Sequence, residues 1–147
     1  MTHELVVDDP ATLTQKSETR ATWDLAATAP SEVAASLGLL KEQLVDRIAL
    51  RPARGDWVVR VGRLQSGEES RCRWYAARRL EVLLADGELE RWLGFFLKYF
   101  RDGCAEVDHM DVEARDDAGA TFDLTLKVAH SAPPVGADEA RRRLKGA

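Results

Sequence analysis

The sequence predicts an α+β domain in which an antiparallel sheet of two hairpins packs its apolar face against two amphipathic helices. Three patterns predict it. Apolar residues recur three or four apart over residues 31–50 and again over 87–101, the spacing of one helix face. Over 56–79 and 106–130 they alternate singly with polar residues, the spacing of half-buried strands. A chain of 147 residues, 45% of them apolar, is long enough to close such layers over one core without disulfides or a structural metal.

Residues 1–27 hold a short apolar run broken at Pro10, then Trp23, Leu25 and Ala27 alternating with Thr22, Asp24 and Ala26. They form two short strands or an arm. Pro30 and Ser31 open the first helix, whose stripe of Val33, Leu37, Leu40, Leu44, Val45 and Ile48 runs up to Arg51-Pro52. Arg54-Gly55-Asp56 is a turn. Trp57, Val59 and Val61 then alternate with Val58, Arg60 and Gly62; after the turn at 66–70, Cys72, Trp74 and Ala76 alternate with Arg71, Arg73 and Tyr75, completing a hairpin over 56–79.

Asp86 suits the cap of the second helix, and Glu88 and Glu90 place negative charge where the helix dipole favours it. Leu89, Trp92, Leu93, Phe96, Tyr99 and Phe100 make its core stripe, Phe95 and Leu97 lie off it, and Asp102-Gly103 is the stop. In the second hairpin Met110, Val112 and Ala114 face the same way as Phe122, Leu124, Leu126 and Val128 across a turn at 116–119. Pro133-Pro134 ends the sheet, and 135–147 is a basic tail.

The formal charge of −4 and pI near 5.4 argue against nucleic acid as a partner. That average conceals blocks: residues 47–80 carry nine arginines against three acids, and 81–124 carry twelve acids against four bases. One-sign blocks on a surface raise association rates with partners of opposite sign. No apolar run approaches 18 residues and the start lacks a signal-peptide core, so a soluble cytoplasmic protein with no membrane contact is expected. Cys72 and Cys104, with no CxxC spacing, read as reduced packed thiols.

Catalytic signatures are lacking: there is no GxSxG, GxGxxG, GxxxxGK[ST] or HExxH. Of the histidines at 3, 109 and 130, His109 has carboxylate company in Asp111, two residues on along one strand face. Two donors fall short of the three or four that zinc takes, so neither metal nor cofactor nor catalysis is expected. The wet face of the last hairpin, His109, Asp111, Glu113 and Asp123, is the expected contact for a protein partner rich in Lys and Arg, with Phe95 as an apolar anchor. An alternative basic face gathers Arg71, Arg73 and Arg79, joined by Arg63, near Tyr75; it resembles a nucleic-acid groove, and pairing with acidic strands of the same sheet is the competing explanation.

The order of elements also resembles a family. A Trp-bearing strand at Trp57, Glu81 and Leu89, Trp92 and Leu93 at the second helix, and the ending Phe122, Leu124, Leu126, Val128, Pro133 and Pro134 are together similar to WapI-type bacterial immunity proteins, over about residues 56–134. The resemblance implies a small non-catalytic protein that neutralises a toxin of a contact-dependent or polymorphic system. The sequence departs from that pattern after the second helix, where RDGCAEVDHMD replaces an acidic-aromatic-proline stretch, and in its N-terminal helix. Occlusion of a basic toxin or effector is therefore the expected function; the alternative is an accessory subunit or effector chaperone, possible as a homodimer, acting through an apolar surface.

Overall fold

A computed structural model of the chain describes residues 2–7, 12–26, 30–52, 55–64, 68–102 and 109–129. Cys104, His130, Pro133-Pro134 and the basic tail lie outside the described residues. The strands are β1 (Thr2–Val7), β2 (Thr12–Ser17), β3 (Arg20–Ala26), β4 (Arg47–Pro52), β5 (Val58–Arg63), β6 (Arg71–Ala76), β7 (Arg79–Leu84), β8 (His109–Arg115) and β9 (Thr121–Ala129). Helix α1 (Pro30–Lys41) precedes β4, and α2 (Asp86–Asp102) follows β7.

All nine strands form one mixed sheet in the order β1-β4-β5-β7-β6-β8-β9-β3-β2, which overturns the expected antiparallel sheet of two hairpins. Neighbours β1/β4, β5/β7, β6/β8 and β3/β9 run parallel. Period-two alternation sets which face of a strand is buried, and it carries no information on which distant strand lies alongside. The expected hairpin over 56–79 is corrected in the same way: β5 and β6 are not neighbours, because β7 inserts between them, parallel to β5 and antiparallel to β6. The turn that makes β6 and β7 the true hairpin is Ala77-Arg78, with Arg78 in the left-handed region at φ 57°. A turn without Gly or Asn gave no local signal.

The helix expected over 31–50 stops at Lys41. Gln43 takes a left-handed φ of 59°, and 47–52 form β4 with Ile48 and Leu50 buried and Arg47 and Arg51 exposed. Positions 44 and 48 fit a helix because they are four apart, but Leu44 lies in the turn after α1 and is exposed while Ile48 is buried in β4, so the spacing matched across a real boundary.

One core cluster joins Val33, Leu37, Leu40, Leu89, Trp92 and Phe96 of the helices to Ile48, Val59, Val82, Leu124 and Trp23 of the strands. Both helices therefore cover the same side of the sheet. That side is concave: the ring centroids of Trp23 on β3 and Trp57, just ahead of β5, lie 6.2 Å apart at 75°, although five strand spacings in a flat sheet would separate those strands by about 24 Å. The convex side carries no helix among the described residues. Its weakest join is β6/β8, which pair only at Arg71 and Arg115; beyond that point the Asp111 carbonyl accepts a hydrogen bond from Arg91 of α2 (2.9 Å).

Candidate functional site

The convex face is a surface of two signs. Its first half is the outward side of β4, β5, β7 and β6. Alternation turns Ile48, Val59, Val82 and Cys72 inward, so Arg47, Arg60, Glu81 and Arg73 must point out. Glu81 is nevertheless only 5% exposed, because arginines close over it: Arg47 Nη1 donates to Oε2 at 3.2 Å and Arg73 Nε to Oε1 at 3.0 Å. The Arg47 stem reaches β7 across Gly62 of β5, its register partner. A Cβ at Gly62 would lie 3.7 Å from Arg47 Cγ and 2.8 Å from Leu83 Cδ2.

The Glu81 carboxylate, helped by Asp117 at 3.5 Å, holds the Arg73 guanidinium above its ordinary pKa. Arg60 stacks on the ring of Tyr75, 4.6 Å from guanidinium carbon to centroid. Arg71 and Arg79 are exposed, and among the described residues neither has a carboxylate within ion-pair distance. A cleft of about 260 Å³ lies among Arg71, Arg73, Glu81, Leu83 and Asp117.

Arg47 and Arg60, together with Glu81 at the centre, were not among the residues expected to form this face. Arg47 was hidden by the overlong helix, whereas Arg60 has the outward parity that could have revealed it. Arg63, expected here, belongs elsewhere: it shares the inward parity of Val59 and Val61 and donates to Asp86 (2.7 Å) and the Lys41 carbonyl (3.0 Å), joining the two helices. Asp86 raises the Arg63 pKa, and its carboxylate is spent on Arg63 rather than on a backbone amide.

The second half is the outward side of β8, β9 and β3. Asp116 Oδ1 accepts from the Ala118 and Ala120 amides (2.9 and 2.8 Å) and Gly119 takes φ 82°, a turn that fixes the register of β8 on β9. That register sets Glu113 directly opposite Asp123, Asp111 opposite Thr125 and His109 opposite Lys127. All of the expected residues except Phe95 are thus brought to one face. Asp111 Oδ1 accepts from Thr125 Oγ1 (2.9 Å), and Asp123 has Arg20 of β3 at 3.9 Å. Phe95 is half-buried with its ring on Phe96, centroids 5.2 Å apart, and belongs to the helix packing, whereas Leu97 is 47% exposed.

No three of the described His, Cys, Asp and Glu residues converge on a point that could hold a metal ion. Cys72 lies in the core, where burial pushes its thiol up to about 12, far from the thiolate a nucleophile needs. No described helix is long and apolar enough to cross a membrane. No protein-family model matches the chain, and no curated protein matches it.

Proposed function

We infer that this chain is a non-catalytic partner-binding protein of immunity type, which occludes a basic toxin or effector through the convex half-face of β8 and β9. What supports the reading is the register of one pair. Glu113 and Asp123 stand directly opposite each other across two strands, both exposed, and among the described residues the one cation within ion-pair distance of either is Arg20, 3.9 Å from Asp123. Like charges so placed destabilise a sheet by roughly 0.2–1 kcal/mol. A surface of Lys and Arg laid over the pair removes that cost and gains the attraction, so the face is better suited to a bound state than to water. Both described helices lie on the other side of the sheet, so neither covers this face.

The test is fluorescence anisotropy at low salt with a labelled decalysine peptide standing in for the basic surface. Wild-type protein binds it, and Glu113→Gln with Asp123→Asn, which removes the like-charge pair, weakens binding several-fold while the melting temperature holds or rises. Equal binding by the double variant refutes the assignment of this face. Asp111→Asn is the milder third variant, because Thr125 already occupies one of its oxygens.

A further inference from the structure

We propose that the other half of the convex face, the outward side of β4, β5, β7 and β6, docks a short carboxylate-bearing segment of a partner protein. The proposal rests on the partner-binding reading above and adds a second contact of opposite sign.

The charge balance of this half carries it. Arg47, Arg51, Arg60, Arg71, Arg73 and Arg79 point outward, and the acids on the same four strands and their β1 neighbour are Glu81 and Glu4, the latter 3.7 Å from Arg51. Asp117, on the turn after β8, adds a third acid 3.5 Å from Arg73, so three positive charges are left over. Glu81 does not discharge the field; seated beneath Arg47 and Arg73, it fixes the position of two guanidiniums without reaching the surface itself. Arg60 is held in place by Tyr75. Guanidiniums already ordered lose little freedom when they meet a carboxylate, and their planar forks match its two oxygens. Natural sheets place opposite charges on adjacent strands; here Arg71 and Arg79 have no acid in register beside them among the described residues, and Glu81, the register partner of Arg60, has both oxygens taken by Arg47 and Arg73.

Protein carboxylates fit this surface better than nucleic acid does, for two reasons on the same face. Single strands bind through open aromatic platforms, and the Tyr75 ring is covered by Arg60. A longer polyanion would also overrun its site: the four strands span only about 15 Å, after which the face turns acidic at Glu113 and Asp123. A segment with a few Asp or Glu residues fits within that width. One partner with neighbouring acidic and basic patches would engage both halves at once, and the paired contacts would fix its orientation.

The test uses the full chain and three labelled probes at about 20 mM salt: decaglutamate, decalysine and a ten-nucleotide oligo-dT. The variant is Arg60→Gln with Arg71→Gln and Arg79→Gln, which leaves the Arg47–Glu81–Arg73 contacts in place. The expected result is decaglutamate binding that weakens with salt and falls about tenfold or more in the triple variant, from three exposed pairs of ordinary strength, with decalysine binding unchanged or stronger. No decaglutamate binding by wild type, or equal binding by the triple variant, overturns the proposal. So does oligo-dT binding tighter than decaglutamate, which would assign the face to phosphates. The change in decalysine binding on replacing Glu113 and Asp123 reports on the acidic face, so failure of that reading shows in that probe and failure of this proposal in the other.

Discussion

Replacing Glu81 by glutamine tests whether the buried carboxylate is a stability device or a means of arranging arginines. Breaking a buried ion pair commonly costs 3–5 kcal/mol, because a charge is stranded away from water. That figure does not apply here. The side chain of Glu81 is 7% exposed, but those of Arg47 and Arg73 are 46% and 47% exposed, so the charges left behind return to solvent. What is lost is the difference between two hydrogen bonds with both partners charged and the single weaker one, from a charged guanidinium to an uncharged oxygen, that the glutamine still accepts. With roughly 1.5–3 kcal/mol for the former kind and 0.5–1.5 for the latter, and a discount for the exposed donors, Glu81→Gln costs about 2 kcal/mol. In a domain of this size that lowers the melting temperature by roughly 5 °C. Glu81→Leu is no worse, because the glutamine NH₂ remains buried against a guanidinium whereas leucine leaves no buried polar atom to satisfy. Urea denaturation followed by tryptophan fluorescence at pH 7 measures both. A loss above about 4 kcal/mol, or a leucine variant far less stable than the glutamine one, refutes the claim that the arginines recover their hydration.

Gly62→Ala tests the crossing of the Arg47 stem: its Cβ meets Leu83 Cδ2 at 2.8 Å, a side-chain tip able to yield, so the cost is about 1 kcal/mol by urea midpoint and becomes smaller in the Glu81→Gln background, where Arg47 has less to lose. Equal costs in the two backgrounds would separate Gly62 from the network. Cys72 gives an alkaline signature. Its folded thiol, pushed up to about 12 from an ordinary 9.0, stays protonated while the unfolded thiol ionises, so its contribution is whole below pH 9 and is lost between 9 and 12 at up to about 1.4 kcal/mol per pH unit. The difference in stability between wild type and Cys72→Ala should narrow over that window; a constant difference means the thiol is not held in its neutral form.

How far the fold could be read from the sequence depended on whether the determining contact was local. Alternation in 109–115 and 121–129 is continuous and joined by a turn with its own Asp and Gly signals, so strands, faces and partners all follow from neighbouring residues, and with them the row of His109, Asp111, Glu113 and Asp123. The strand at 79–84 alternates equally well, with Leu80, Val82 and Leu84 inward, but its entry turn relies on an arginine at positive φ, and its parallel partner β5 precedes it by some twenty residues. Nothing local marks either. The arginine face depended on that strand: without β7 in place Glu81 has no arginines over it, Arg60 has no acidic register partner, and Arg47 sits in an overlong helix.

The same dependence explains how the two halves of the convex face differ. Glu113 and Asp123 are opposed by a hairpin register that the turn at Asp116 fixes, so their repulsion cannot be relieved by sliding the strands without moving Phe122 and Leu124 out of the core. The arginines face each other across parallel and antiparallel joins of four strands, with Glu81 set among them, and their excess is equally locked by Val59, Leu80 and Cys72 on the inner side. Core register on one side thus fixes charge pattern on the other. A sheet free to choose would interleave these signs; this one keeps them apart on either side of its weakest join, at Arg71 and Arg115, which is the arrangement a partner with two patches of its own can recognise.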